Sequence, residues 1–262
     1  MKDDLGNRMK RYEQASKIKL VHRVPAVLRV DGKAFHTFCK RFIKPYDEIF
    51  NNALTDAMLF LCKKIQGAEF GERHSDEISI LLWDAQTIKT CAFFDYEVQK
   101  IVSVVAGWAA GAFCKSLLRS SVNAATEYLT LEEDWPTVDC RVFNIPKDEV
   151  GNYFWWRITD AVRNSIQGLA QQFFSHKELN KKNQQNMHEM LYQKNINWAN
   201  LPPEQKTGMV CYKKSMPYII PRGPKAGQLI NKMEWMLRVS PKTRQDLNNI
   251  NIIESFEGRI YE

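Results

Sequence analysis

Hydrophobic positions recur every three to four residues in some stretches of the chain and alternate or run together in others. That contrast sets the expected elements. Leu5, Met9 and Tyr12 share one stripe of an amphipathic helix over residues 3–18. Ile49, Phe50, Leu54, Ala57, Met58, Leu61, Cys62 and Ile65 give a second helix over 46–65. DYEVQKIVSVVAGWAAGAFCKSLL reads as a mostly buried helix over 95–118, and NYFWWRITDAVRNSIQGLAQQFF returns to helical period over 152–174. Pro25 precedes AVLRVDG, a buried strand that stops at the Asp31-Gly32 turn. EFGERHSDEISILLW has two β-compatible flanks around a polar centre, which predicts a hairpin with Asp76 at or near its tip. VDCRVFNIP and TGMVCYKK read as strands, and LINKMEWMLRV and NNINIIESF as β-rich. Residues 119–137 are a polar loop or insertion ending at Pro136, KELNKKNQQNMHEML is a basic connection entering a short helix, and PRGPKAG is a flexible break. The order predicts an α+β fold in which helices cover an antiparallel sheet.

Composition narrows the class. The 262 residues are 44% hydrophobic and 26% charged, ordinary globular values and ample for a buried core. Mean hydropathy is -0.42, and no uncharged apolar run approaches the ~18 residues a membrane helix needs, so no membrane partner is expected. The start, MKDDLGNRMKRYEQ, has no apolar core of a secretory leader, and a cytoplasmic location is expected. The six cysteines (Cys39, Cys62, Cys91, Cys114, Cys140, Cys211) show no CxxC spacing and read as reduced, buried small residues. A net charge of +7 is compatible with a polyanionic partner without specifying one.

Two acidic sites could carry chemistry. Asp31 ends a strand before a glycine, and Asp76-Glu77 lies in a hairpin. Magnesium takes few carboxylate or carbonyl oxygens and leaves the rest to water and phosphate, a need that Asp31 and a facing Asp76 would meet. Adjacent strand residues point to opposite faces, so Asp76 and Glu77 should differ in role, with Asp76 the shared ligand. A plain turn at Asp31-Gly32 and a Ser75-Asp76 hairpin cap account for the same spacing. Lys33, His36, Lys40, Arg41 and Lys44 could hold a triphosphate or form a solvated face. Neither GxxxxGK[ST] nor GxGxxG is present. Phe154, Trp155 and Trp156 could stack bases or pack a core.

Taken together and in order, these segments resemble the tRNA-histidine guanylyltransferase family, and most closely its bacterial and archaeal guanylyltransferase-like branch. RVDGKAFHTF is similar to the family's RxDGRxFHxF, and Lys44-Pro45 to its Lys-Pro pair. GERHSDEISILL resembles the QSDE hairpin, VDCRVFNIP the FDxRVxxxP segment, and WWRITDAVRNSI the WRQxDxxxNxxxN helix. NINWANLPPEQKTGMVCY resembles a later segment ending in a Lys-x-Gly strand. The likeness runs from about residue 3 to 214.

The resemblance implies a polymerase-palm-like sheet with a helical, fingers-like side element. It implies a catalytic unit over 1–220 and a C-terminal extension over 221–262 packed on it. The implied activity is template-dependent 3′–5′ nucleotide addition to the 5′ end of tRNA, after ATP-dependent activation of the 5′-monophosphate. ATP, GTP and other NTPs would be substrates, and two Mg2+ ions the cofactors. Asp31, Asp76 and the Gly32 carbonyl would hold metal, with Glu77 completing the acidic pair. The backbone through Asp31, Gly32, Lys33, Ala34, Phe35 and His36, with Ser75, would contact nucleotide. Arg29 and Lys44 would contact the triphosphate. Lys100, Arg141, Arg157, Asn164 and Lys206 would contact RNA or phosphate, and Asp160 matches a further polar position. Family members imply a homotetramer.

Two departures matter. His74 replaces the glutamine of QSDE, and Val162 stands where eukaryotic members have histidine, with Asn164 retained. These favour repair of truncated tRNA over strict addition of a single guanosine to histidine tRNA. A non-catalytic RNA-binding protein is the alternative of a different class.

Overall fold

A computed structural model describes residues 4–250 except Pro45, 122–134, Gly223 and Ala226. The elements follow in chain order as α1 (Asp4–Ala15), β1 (Ala26–Gly32), α2 (Phe35–Phe38), α3 (Glu48–Lys64), β2 (Ala68–His74) and β3 (Glu77–Leu82). Next come α4 (Val98–Ser121), β4 (Val138–Asn144), α5 (Val150–Ala170), α6 (His176–Leu179) and α7 (Gln184–Tyr192). The chain continues through α8 (Pro203–Thr207), β5 (Met209–Ile219), β6 (Leu229–Val239) and α9 (Arg244–Asn248). The strands form one antiparallel sheet in the order β4-β1-β3-β2-β5-β6.

The alternation along each strand divides the core. Leu28 and Val30 of β1 with Ile78, Ile80 and Leu82 of β3 meet α3 and α4 on one face. Phe70 of β2 and Leu81 of β3 meet Phe154 and Ile158 of α5 on the other. α3 starts where the Asp47 carboxylate accepts from the Phe50 N–H at 2.9 Å, a side-chain N-cap. Only the N-terminal half of α5 packs on the sheet, through Val150, Phe154 and Ile158. Its C-terminal half leaves the sheet, and Ile166, Leu169 and Ala170 pack with Leu179, Met187 and Leu191 into a helical lobe.

Several expectations change. α4 contains Val98–Ser120, which by length and composition alone could cross a bilayer, although Lys100, Lys115 and Arg119 keep it from being an uncharged run, as expected. Here it is a core helix, with Ile101, Val105, Ala109, Phe113 and Leu117 buried. Cys62 and Cys211 are buried as expected, whereas Cys91 is exposed. NNINIIESF is not a strand where it is described: Asn248 closes α9, and Ile250 packs with Leu247 beside Phe70. Its remainder lies outside the described residues, as does most of 119–137. The boundary drawn at 220/221 falls inside the β5–β6 hairpin, whose eleven register pairs bind residues on both sides of it into one sheet.

Candidate active site

β1 and the β2–β3 hairpin bring the two acidic segments to one rim of the sheet. Asp31 lies opposite Glu77 in register, and Ser75-Asp76 forms the hairpin turn next to it. Both turns use left-handed backbone at non-glycine residues, φ 54° at Ala34 and φ 48° at Ser75. Such residues carry local strain that the surrounding structure must impose. The Lys33 N–H donates to the Thr137 carbonyl at 2.8 Å and pins the first turn. Gly32 is required there by packing: a Cβ would lie 2.3 Å from Cγ of the Phe35 ring.

The rim is electrostatically tense. Burial raises the Asp31 carboxyl, and the neighbouring Glu77 and Asp76 carboxylates raise it further, against the pull of Arg29. Asp76 is also raised, by burial first, although the Ser75 hydroxyl donates to it at 3.0 Å. Two carboxylates pushed upward together form a donor set suited to a divalent cation. Among the described residues no group of three His, Cys, Asp or Glu side chains is placed to share an ion. Magnesium needs few protein oxygens because water and substrate phosphate fill its shell, and Asp31, Asp76 and the Gly32 carbonyl are the candidate oxygens at this rim.

Glu77 sits differently from Asp76, as strand alternation requires. Its carboxylate accepts from Arg29 Nη2 and from Arg157 Nη2. Behind it, His74 Nδ1 lies 2.8 Å from Glu72 and His74 Nε2 3.6 Å from Glu77, with Glu72 fully buried. Burial lowers the His74 pKa, but Glu72 and Glu77 outweigh it and the net shift is upward. Arg157 is a correction. It is 1% exposed, held by Glu77 and stacked 4.5 Å from the Trp156 ring, so its guanidinium faces the protein and not an RNA phosphate. Arg29 is likewise engaged, its Nη2 pairing with Glu77 and lying 3.6 Å from Asp31.

A cavity of about 480 Å³ opens beside the rim. Gly32, Ala34, Phe35, His36, Ser75 and Asp76 line it, as do Lys44, Asn164 and Lys206 from three other segments. The Pro45 half of the Lys-Pro pair lies outside the described residues. Asn164 donates to Asp160 at 3.3 Å, and the Lys206 ammonium donates to the Ala199 carbonyl at 2.7 Å over the Trp198 ring. Lys33, Arg141 and Lys100 do not line the cavity. Arg141 pairs with Asp139 at 2.8 Å on β4, and Lys100 lies over Phe94 in the first turn of α4. Phe113, which packs on Phe35 at 5.8 Å, is thirteen residues further along α4, or ~20 Å at 1.5 Å per residue, so Lys100 is remote from the rim. Phe154 is fully buried, a core residue, whereas Trp156 is half exposed. Arg73, Asn51 and Tyr46 also line the cavity and were not anticipated, although Arg73 precedes Asp76 by three residues.

Comparisons with known proteins identify the fold and the family. The sequence model of the family described as tRNAHis guanylyltransferase (Thg1) matches residues 6–146. A bacterial tRNA(His) guanylyltransferase (Thg1)-like protein in complex with ATP is 34% identical with a TM-score of 0.79, the match covering 95% of this chain and 100% of that one. A bacterial counterpart in complex with GTP is 31% identical with a TM-score of 0.74, covering 99% and 100%. A probable tRNA(His) guanylyltransferase of Dictyostelium discoideum is 28% identical over 211 residues, 74% of this chain and 77% of that protein. The fold is thus that of a nucleotidyltransferase. The chain belongs to the tRNAHis guanylyltransferase family.

Proposed function

We propose that this protein adds nucleotides in the 3′–5′ direction to the 5′ end of truncated tRNA, copying the opposite strand. The observation that carries the reading is the convergence of Asp31 and Asp76 on the rim of a cavity walled by the turn from Gly32 to His36. In the first step the RNA 5′-monophosphate oxygen attacks the α-phosphorus of ATP and pyrophosphate leaves. In the second, the 3′-hydroxyl of an incoming NTP attacks the activated 5′-phosphorus and AMP leaves. ATP and GTP complexes of the bacterial relatives support nucleotide binding in this fold.

Asp31, Asp76 and the Gly32 carbonyl would hold Mg2+, which neutralises charge developing on the transferred phosphoryl group. The turn residues Ala34, Phe35 and His36 line the cavity and would offer backbone N–H groups to phosphate oxygens, and the exposed Lys44 adds positive charge at the cavity wall. Glu77, fixed between Arg29 and Arg157, holds the hairpin in register with β1 so that Asp76 stays beside Asp31. Base pairing would select the nucleotide, leaving the protein to read RNA shape and backbone. The apolar stripe of α1, with Leu5, Met9 and Tyr12 exposed, supports assembly as a homotetramer. The proposed location is the cytoplasm.

Incubation with a 5′-truncated tRNA, ATP, NTPs and magnesium tests the reading. Asp76→Ala should lower extension by several kcal/mol of transition-state stabilisation, on the order of 10²–10³-fold. No extension by the wild type, or equal extension by the variant, would overturn it. Extension only of full-length histidine tRNA by one guanosine would assign single-nucleotide addition instead.

A further inference from the structure

Trp156 is an aromatic ring that neither the core nor the nucleotide cavity absorbs. It stands on α5 with half its surface exposed, whereas Phe154 two residues earlier is fully buried. Two contacts fix the ring. The Arg157 guanidinium lies 4.5 Å from its centroid, and the Tyr153 ring meets it edge-to-face at 5.8 Å. Both supports are themselves held by the sheet. Arg157 pairs with Glu77, and Tyr153 packs on Phe143 of β4 at 5.9 Å, with its hydroxyl 3.3 Å from that of Ser79. Ser79 opposes Arg29 in register and Glu77 opposes Asp31, so from Tyr153 to Arg157 the helix climbs toward the rim. Ala161, Asn164, Ser165 and Gly168 of the same helix then line the cavity. Trp156 thus stands just before the cavity along α5 and leaves the nucleotide's place free.

The neighbourhood of the ring is basic. Arg141 lies two residues before Phe143 on β4, and its register with Arg29 puts it on the α5 face of the sheet. Its side chain is 54% exposed and pairs with Asp139. Asp139 holds the guanidinium above its usual range, with lesser contributions from Asp31 and Glu77. An exposed pair of this kind is weak and can be exchanged for a phosphate. A solvent-facing indole of fixed orientation, near an exchangeable guanidinium, suits a nucleobase on its phosphate backbone better than an apolar protein segment. In a truncated tRNA the strand opposite the missing nucleotides is unpaired. The bases 3′ to the one being copied therefore have free faces.

We propose that Trp156 is a stacking platform for this unpaired strand, holding a base beyond the templating one while Arg141 takes a backbone phosphate. Stacking is tolerant of sequence because every base has a π-face, so the platform holds the template without affecting how it is read. A ring fixed in advance costs little ordering when the base arrives. The inference rests on the template-copying reading above and adds to it a place for the template strand.

Filter binding and extension assays on the full chain test it with two RNAs. One is a 5′-truncated tRNA, and the other is the same RNA with abasic residues 3′ to the templating base. The wild type should bind the intact RNA roughly tenfold more tightly than the abasic one. Trp156→Ala should weaken the intact RNA by a similar factor and leave the abasic RNA within about twofold, so that the two losses do not add. Trp156→Phe keeps a ring and should recover most of the difference. In extension, Trp156→Ala should raise the KM for intact RNA about tenfold while kcat and the KM for ATP stay within about twofold; a merely structural role would move all three. Equal binding of the two RNAs by the wild type overturns the proposal, whatever the variant's stability. So does an equal loss on both RNAs in Trp156→Ala with a native circular dichroism spectrum. A variant that changes sedimentation and not RNA affinity also overturns it, and assigns the ring to a protein interface. If the wild type extends no RNA, the polymerase reading fails and the platform with it; if it extends both RNAs with one KM, only the platform fails.

Discussion

Gly32 and Asp31 illustrate how much the rim depends on single atoms. A methyl group at Gly32 enters the Phe35 ring, and that ring packs against Phe38, Phe50 and Phe113. Gly32→Ala should therefore cost about 1–3 kcal/mol, read as a lowered denaturation midpoint. Asp31 makes the opposite prediction. A carboxyl whose folded pKa is raised favours its protonated form in the fold. The stability it lends is present at acid pH and lost as pH rises through that raised value. Without added metal at neutral pH, Asp31→Asn should therefore raise the thermal midpoint, and the gain should vanish below about pH 4, the ordinary carboxylate range. Magnesium should stabilise the wild type and not the variant. A variant less stable than wild type in chelator would contradict the repulsion seen at the rim. The aspartates were legible in the sequence because each sits at a turn signal. Arg73 and the Glu72–His74 pair were not, because nothing local distinguishes a buried charge from a solvated one until the strand's neighbours are known.

Among the elements, α5 links sheet and helical lobe and carries the charge that organises the hairpin. Arg157 is almost fully buried against Glu77, with Asp160 a turn away at 3.4 Å. Glu77→Ala would leave that guanidinium without its closest carboxylate. It should destabilise the protein by about 3 kcal/mol in urea unfolding, because the buried charge is left with only the more distant Asp160 as a partner. Element type was readable wherever periodicity was long. β1 has the bounds expected of AVLRVDG, and α3, α4 and α5 lie within a few residues of their predicted ranges. Period and composition decide less where the environment intervenes. The apolar α4 satisfies the composition of a membrane span, yet its use is decided by α3, which packs against it. NNINIIESF is β-branched enough to suggest a strand, but Thr243 caps a helix just before it, its side chain accepting from the Asp246 N–H at 3.1 Å.

For the whole molecule, the +7 charge and the single sheet carry separate consequences. If RNA is the substrate, the logarithm of its affinity should fall linearly with log salt, by roughly 0.7–0.9 per phosphate neutralised. Filter binding between low and moderate salt measures that slope, and a flat line would argue against a backbone-reading surface. Residues 229–250 are structural as well. β6 pairs along the full length of β5, and Leu247 is 1% exposed in the core beside α5. A chain ended after residue 220 should lose cooperative thermal unfolding. The order in which strands join was not legible, because β2 and β5 lie far apart in sequence and only long-range packing brings them together.

The unequal ladders of β5 have a further consequence. On one side it is joined to β6 by eleven residue pairs, on the other to β2 by four, from Phe70↔Tyr212 to Arg73↔Met209. Among the described residues, no third strand backs the hairpin beyond Tyr212. Amide protons should then exchange with solvent in a gradient along one continuous strand, slowest at 209–212 beside Arg73 and faster toward Ile219. Local opening would begin at the hairpin's free end and stop at Arg73, sparing the cavity while the arm beyond it breathes.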